Sequence, residues 1–276
     1  MSTFLNRILD QKQREVEALY AKNYREQFTR QVEQTKNRKT NLFATAISDP
    51  SRLSIIAEIK RASPSKGVIN EHFDILERAA AYEAGGAAAI SVLTDSAYFH
   101  GSITDLKNVR QKVKIPILRK DFIIDPIQVD ESLAAGAHAI LLIAAAMSSE
   151  KLKELSTYAK EIGLDVLIEV HSPDEVETAL NAKPSVLGIN NRDLHTFEVS
   201  LETTVNITRT LPRMCPVISE SGFLTTEDVK KIVVHNIDGI LVGESLMRET
   251  SHSRIQSTIL EFSSCVFSPA KGGCKA

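Results

Sequence analysis

Cysteine and long apolar runs are scarce in this sequence. Its 276 residues include three cysteines, Cys215, Cys265 and Cys274, and no C-x-x-C pair. A disulfide scaffold or a cysteine-rich zinc site is therefore not expected, and a reducing, cytoplasmic compartment is favoured. The most apolar stretch, 134–147, is too short to span a membrane. The charged N-terminus also lacks the apolar core of a signal peptide.

Aromatic residues and net charge are low as well. Aromatics make up 5% of the chain and tryptophan is absent, which weakens any interpretation as a platform for stacked bases. The 33 Lys and Arg nearly balance the 35 Asp and Glu, so no overall charge attracts nucleic acid or a membrane surface. The seven histidines show no metal-ligand spacing. We expect no nucleic-acid, membrane or metal binding.

A regular alternation of apolar runs and amphipathic segments begins at residue 54. The β-branched apolar runs number eight: 54–60, 87–94, 115–121, 137–144, 165–170, 186–190, 216–221 and 239–242. Eight strand–helix units of about 25 residues fit a (β/α)8 TIM barrel, an α/β fold of about 250 residues. An open doubly wound sheet is the alternative, but the Gly-rich phosphate turn typical of that fold is absent.

Helix signals fall between these runs. Asp125-Pro126 opens one predicted helix, and Gly136 follows it. Ser172 and Glu175 have the spacing of a capping box, with a proline at the first helical position. A further cap is expected at Thr225.

The whole chain, 1–276, is predicted to be one domain. Residues 1–50 are polar and helix-prone, with too little apolar material for a core of their own, and are predicted to be an N-terminal helical extension. Residues 51–265 would form the barrel and 266–276 a flexible tail. The sparse apolar residues of the extension have the spacing of one helical stripe: Leu5, Ile8, Val16 and Leu19.

Polar side chains recur at the carboxyl ends of the predicted strands, where this fold places its active site. They are Glu58, Lys60, Lys120, Glu169, Asn190, Arg192, Glu220, Ser221 and Glu244. Salt bridges that seal the barrel mouth are the alternative interpretation. The mixture of signs suits acid–base chemistry on an anion, because a lysine beside a carboxylate stays protonated and can act as an acid.

Two glycines follow the last two predicted strands. Gly222 comes after the seventh strand and Gly243 after the eighth. In this fold the two corresponding loops usually bind phosphate through backbone N–H groups. Ordinary turn glycines are the simpler alternative, but the joint position favours a phosphate site.

Seven segments, in the same order, resemble the indole-3-glycerol phosphate synthase family of tryptophan biosynthesis. They are IAEIKRASPS at 56–65, LTD with YFHGS at 93–102, LRKDF at 118–122, LIEV at 167–170, GINNRDL at 188–194, SESG at 219–222 and VGESLM at 242–247. The resemblance runs from the N-terminal helix to about Glu249 and includes the extra helices before the first strand.

The resemblance implies a lyase that acts on 1-(2-carboxyphenylamino)-1-deoxyribulose 5-phosphate. The family closes the indole ring and then releases carbon dioxide and water, without a metal or an organic cofactor. By this resemblance Lys120 is the general acid of ring closure and Glu169 the base of the dehydration. Lys60 would meet the substrate carboxylate, and Glu58 would keep the lysines charged.

The remaining roles are also carried over from the resemblance. Asn190 and Ser221 would orient the substrate, Ser63 and Arg192 would contact its anionic groups, and Phe99 would pack on the anthranilate ring. Glu220 is placed with the substrate-binding residues. Gly222, Gly243 and the backbone of Glu244 match the phosphate site. Because a carboxylate beside a phosphate is unfavourable, we expect the Glu244 side chain to point away.

Two other functions remain open at the level of the sequence. Phosphoribosylanthranilate isomerase is a phosphosugar enzyme on the same barrel, but it lacks the E-x-K-x-x-S-P-S loop and the N-terminal helix. A non-catalytic barrel that binds a phosphorylated ligand would not need Lys60, Lys120 and Glu169 together. The expected ligand is a small phosphorylated molecule, and the loop 62–73 is long enough to cover it. The oligomeric state is not determined, and a monomer stands as the expectation.

Overall fold

Eight parallel strands close into a barrel in the computed structural model, which describes residues 3–22, 24, 26, 28, 30, 40–70 and 72–265. In chain order the strands are β1 (Ser54–Ile59), β2 (Ala62–Ser63), β3 (Gly67–Val68), β4 (Ala89–Leu93), β5 (Ile117–Lys120), β6 (Ala139–Ile143), β7 (Asp165–Val170), β8 (Val186–Asn190), β9 (Val217–Glu220) and β10 (Gly239–Val242). Strands β1 and β4 to β10 form the barrel, which β1 closes by pairing with β10. The predicted fold class is confirmed.

Helices alternate with the barrel strands and cover them. In chain order they are α1 (Phe4–Ala21), α2 (Leu42–Ile47), α3 (Ile75–Ala84), α4 (Ser96–Phe99), α5 (Ile103–Lys112), α6 (Pro126–Ala134), α7 (Ser149–Glu161), α8 (Pro173–Asn181), α9 (Glu202–Thr208), α10 (Thr226–Val233), α11 (Glu244–Arg248) and α12 (His252–Ser263). A 3-10 turn, Ala144–Ala146, follows β6. The strands are buried along their length because helices cover one face and the barrel interior covers the other.

The caps of two helices follow the sequence signals. Asp125 and Thr225 each form a capping box, and Gly136 adopts a left-handed φ of 93° after α6. The capping box predicted at Ser172 is wrong, because the Ser172 side chain accepts no backbone hydrogen bond. Instead the Glu175 carboxylate reaches back to the end of β7, where it accepts hydrogen bonds from the His171 N–H and the Ser172 hydroxyl.

The amino-terminal end of the barrel is closed by α2. Phe43 and Ile47 are completely buried against the barrel interior. The backbone N–H groups of Phe43 and Ala44 donate to Oδ2 of Asp165, the first residue of β7, at 2.8 and 3.1 Å. A strand residue thus supplies the acceptor that the start of α2 needs.

Helix α1 packs on the barrel beside α6 and reaches the opposite, carboxyl end. Leu5, Ile8 and Val16 are buried, as the predicted stripe requires, and Leu19 is half-buried. The stripe also contains Lys12, which the sequence did not single out. No helix in the described ranges is long and apolar enough to cross a bilayer. The predicted tail, 266–276, lies outside the described residues.

Candidate active site

One cavity of about 700 Å³ opens at the carboxyl ends of the barrel strands. Its wall contains every residue that the sequence proposed: Glu58, Lys60, Ser63, Phe99, Lys120, Glu169, Asn190, Arg192, Glu220, Ser221, Gly222, Gly243 and Glu244. These residues come from loops and strand ends far apart in the chain, and the closed barrel brings them together.

Lys120 is the central cation of the cavity. It ends β5, and its Nζ donates a hydrogen bond to Glu169 Oε2 at 2.8 Å and lies 3.0 Å from Glu220 Oε2. Burial disfavours the charged ammonium, but the charges of Glu169, Glu220 and Glu58 outweigh it and raise the pKa of Lys120 above its usual value. Lys120 is therefore protonated at neutral pH, as a general acid must be.

The two carboxylates beside Lys120 have opposite tendencies. Burial raises the pKa of Glu169, but Lys120 and His171 overcome this effect and lower it below its usual value. Burial raises the pKa of Glu220, and the nearby charge of Glu169 adds to the rise although Lys120 opposes it. Two carboxylates that share one lysine do not ionise equally, so the site holds an ionised Glu169 beside a Glu220 that binds its proton more tightly.

Lys60 and Glu58 form a second ion pair on β1 and its end. Lys60 Nζ lies 2.5 Å from Glu58 Oε2, and the lysine side chain is 16% exposed. Residues two apart on a strand face the same side, which brings these two side chains together. A Cβ atom at Gly243 would come within 2.2 Å of Glu58 Oε2, so a glycine at the end of β10 leaves room for this pair.

A polar chain connects the ends of β8 and β9 with the hairpin β2–β3. Asn190 Oδ1 accepts hydrogen bonds from Ser221 Oγ at 2.9 Å and from the Arg192 N–H at 3.0 Å. Arg192 Nη1 in turn donates to Ser65 Oγ at 3.1 Å. Ser221 has a left-handed φ of 67°, a strained conformation for a non-glycine residue that is typical of functional sites.

One side of the cavity is apolar. The rings of Phe99 and Phe122 lie 6.2 Å apart with their planes inclined by 37°. Leu194, and Ile8 of helix α1, also line the cavity. Such a surface suits the flat face of an aromatic ring.

The expected phosphate site lies where β9 and β10 end. Gly222 and Gly243 both line the cavity, and Ser245 Oγ donates to the carbonyl of Phe223 at 3.0 Å, which joins the two loops. The Glu244 carboxylate accepts hydrogen bonds from Arg248 Nε and Nη2 at 3.2 and 2.9 Å. Arg248 thus holds the carboxylate along α11, and the orientation of Glu244 relative to a bound phosphate stays a prediction.

Comparison with known proteins identifies the family. The family described as indole-3-glycerol phosphate synthase matches residues 5–258. A relative from Bacillus cereus (strain B4264), named indole-3-glycerol phosphate synthase, is 48% identical over 254 residues, which cover 92% of this chain and 96% of the relative. A second, from Bacillus thuringiensis subsp. konkukian, has the same name and is 46% identical over 91% of this chain and 95% of its own length.

The chain belongs to the indole-3-glycerol phosphate synthase family. The predicted activity, that of a carboxy-lyase in tryptophan biosynthesis, is thereby confirmed at the level of the family.

Solved structures of lower similarity share the barrel alone. One is the thiamine phosphate pyrophosphorylase from Pyrococcus furiosus, with a TM-score of 0.57, 19% identity and coverage of 76% of this chain and 94% of that chain. Another is the N-acetylmannosamine-6-phosphate 2-epimerase from Clostridium perfringens, with a TM-score of 0.58, 18% identity and coverage of 79% and 95%.

Beneath the site of this family member lies a buried ionic network that the sequence analysis missed. Lys12 of α1 is 1% exposed, and its Nζ lies 2.7 Å from Asp95 Oδ2 and 2.8 Å from Asp121 Oδ1. Asp95 caps α4, which carries Phe99, and Asp121 directly follows Lys120. The sequence did contain a signal for the burial of Lys12. This lysine is four residues from both Ile8 and Val16 and therefore lies on the buried stripe.

His171 also received no role in the sequence analysis; it directly follows β7 and has a side chain that is only 10% exposed. Its Nε2 lies 3.2 Å from Glu169 Oε1. The sequence signal was that His171 lies two residues after Glu169, because residues two apart at a strand end face the same side.

Proposed function

We propose that this chain converts 1-(2-carboxyphenylamino)-1-deoxyribulose 5-phosphate to indole-3-glycerol phosphate in the cavity, with Lys120 as the general acid. The observation that carries this proposal is the buried ammonium of Lys120 between Glu169 and Glu220. When an aromatic carbon attacks a ketone, negative charge develops on the ketone oxygen. A proton from Lys120 would remove that charge as the ring closes.

Proton transfer from Lys120 would also prepare the base for the dehydration. While Lys120 is charged, it lowers the pKa of Glu169 and makes this carboxylate a weak base. Once Lys120 has lost its proton, that effect disappears and the basicity of Glu169 rises. After carbon dioxide has left, Glu169 is suited to take the ring proton. Lys60, the second lysine of the cavity, would supply the proton with which the hydroxyl leaves as water.

The two anionic groups and the aromatic ring of the substrate need separate contacts. We assign the substrate carboxylate to Lys60, which is 16% exposed and so reaches the cavity. The ring would lie against Phe99 and Phe122. The phosphate would meet backbone N–H groups near Gly222 and Gly243, at the usual anion site of the fold. Arg192 and Ser63 would also contact the anionic groups of the substrate.

Replacement of the acid tests this proposal. The variant Lys120→Met should lose turnover by at least about 100-fold, because general acid catalysis contributes factors of this size. Purified protein is mixed with the substrate, and the fluorescence of indoleglycerol phosphate is followed. Lys107→Met, on the exposed face of α5, is the matched control and should behave like the wild type.

Two results would contradict the proposal. Near-normal turnover by a folded Lys120→Met variant would move the acid role to another residue. Substrate binding without turnover by the wild type would favour a barrel that only binds a phosphorylated ligand.

A cytoplasmic location is also part of the proposal. Cys215 and Cys265 are free thiols, as expected in a reducing compartment, and the relatives are biosynthetic enzymes. Recovery of the protein in the cytoplasmic fraction of cells would support this location, and recovery outside the cytoplasm would contradict it.

A further inference from the structure

The imidazole of His171 lies between two carboxylates. On one side Nε2 is 3.2 Å from Oε1 of Glu169, and on the other Nδ1 is 3.6 Å from Oε2 of Glu175. Glu175 lies in the first turn of α8 and accepts a hydrogen bond from the backbone N–H of His171 at 2.9 Å. His171 and Glu175 are not part of the cavity wall, so they stand behind Glu169 as seen from the substrate.

The charges around His171 favour the imidazolium form. Burial alone would lower the pKa of His171, but contacts with Glu169 and Glu175 raise it to about 9. Lys120 and Glu220 lie beyond Glu169, on its other side. The 3-10 turn Ala144–Ala146, which packs on β7 and α8, adds no titratable side chain.

The two oxygens of Glu169 therefore face two different cations. Oε1 faces His171 and Oε2 accepts the hydrogen bond from Lys120. Oε2 is held by a hydrogen bond and Oε1 faces the imidazole at 3.2 Å, so rotation of the carboxylate would weaken both contacts. The two contacts thus favour the orientation in which the reactive oxygen stays in line with the lysine.

We propose that His171 is a positioning residue for Glu169, and that Glu175 keeps its imidazole oriented and charged for this role. The inference rests on the proposed function, because it assigns to Glu169 the base of the reaction. The competing explanation is a structural ion pair that attaches α8 to the end of β7 and has no effect on the chemistry.

Two substitutions of His171 separate charge from hydrogen bonding. His171→Leu removes both, and we expect kcat to fall about tenfold while KM changes less than about twofold, since misplaced catalytic groups cost rate. His171→Gln keeps an N–H donor and should recover part of kcat. In both variants the acidic limb of the kcat profile should move to higher pH, because loss of the cation raises the pKa of Glu169.

Substitution of Glu175 tests the outer half of the arrangement. Glu175→Gln keeps an oxygen that can accept the His171 N–H but removes the charge, so the pKa of His171 should fall. The alkaline limb of the pH–activity profile should therefore lie at lower pH than in the wild type. Glu177→Gln, at an exposed position on the same helix, is the control and should leave the pH profile unchanged. In the His171→Leu background, Glu175→Gln should have no further effect on the pH profile.

A measurement without turnover provides an independent readout. Titration of the His171 imidazole by NMR, assigned by comparison with His171→Gln, should show an elevated pKa in the wild type and a lower one in Glu175→Gln. Thermal unfolding of all variants is measured in parallel, because a purely structural pair would lower the melting temperature without moving the pH profile.

Different failures point to different errors. If the wild type turns over and the pH profiles of all His171 and Glu175 variants coincide with it, this inference is wrong. A His171 pKa near the ordinary value in the folded protein would overturn it as well. Absence of turnover in the wild type would instead contradict the proposed function.

Discussion

At Gly188, the absence of a side chain makes room for a carboxylate of the site. A Cβ atom there would lie 2.2 Å from Glu220 Oε1, well inside any allowed contact. Glycine inside a strand weakens it, so its presence in β8 marks a close approach of another group. Glu220 is 1% exposed and its Oε2 lies 3.0 Å from Lys120 Nζ, so a shift of the carboxylate changes the contact with Lys120.

The variant Gly188→Ala should therefore lower kcat while the protein stays folded. We expect a loss of about tenfold or more, since displacement of Glu220 disturbs the position of Lys120. Steady-state kinetics and a denaturation curve measure the two effects separately. Glu220→Asp, whose carboxylate is shorter, should relieve the clash, so in the Gly188→Ala background it should cost less than it does alone. Unchanged kcat for Gly188→Ala would show that the Glu220 position does not matter.

At the scale of the element, α1 is attached to the site by Lys12. Burial opposes the ionisation of Asp121, yet Lys12 and Arg119 together hold its pKa at about 2. The same helix contributes Ile8 to the cavity wall. The N-terminal extension is thus part of the site. Its Lys12 neutralises two buried carboxylates, Asp95 at the start of α4 and Asp121 directly after Lys120.

Removal of the Lys12 charge should destabilise the protein. Lys12→Met leaves Asp95 buried without its cation and Asp121 with Arg119 alone, a change that costs about 3–5 kcal/mol of unfolding free energy. Urea denaturation measures it, and Lys22→Met at the exposed end of α1 is the control.

The effect of Lys12→Met should depend on pH with a definite sign. Because the pKa of Asp121 is depressed when folded, its contribution to stability is present above about pH 4 and is lost as pH falls toward 2. The difference between wild type and Lys12→Met should shrink over this interval. A difference that is constant from pH 7 to pH 3 would argue against the ion pair as its cause.

At the scale of the whole molecule, the two ends of the barrel have separate tasks. The carboxyl end carries the ion pairs and the cavity. The amino end is sealed by α2, whose Phe43 is completely buried. In this fold the amino end of the barrel generally serves stability, and the carboxyl end carries the active site.

This separation predicts the behaviour of Phe43→Ala. Loss of a fully buried aromatic side chain should lower the unfolding free energy by about 3–5 kcal/mol. The kcat/KM of the folded variant should stay within about twofold of the wild type at a temperature well below its melting point. A large loss of kcat/KM without loss of stability would mean that the two ends are coupled.

The sequence by itself determined the barrel and the residues of its mouth. Eight apolar runs of strand length between helical segments have few alternatives, and each run contains one observed strand. The polar residues at the strand ends, such as Lys120 and Glu169, could be predicted as site residues because the carboxyl ends of the strands in this fold meet on one side. Local caps were less secure, as Ser172 shows, because its hydroxyl donates to the Glu175 carboxylate and accepts no backbone N–H.

Only the tertiary structure decided which of these residues are partners. The pairing of Lys120 with Glu169 and Glu220, rather than with Glu58, depends on the order and stagger of strands around the closed barrel. The burial of Lys12 depends on where α1 docks. Periodicity fixes the face on which a side chain lies, but the charge that faces it comes from distant parts of the chain, and those distances set the pKa values on which the chemistry depends.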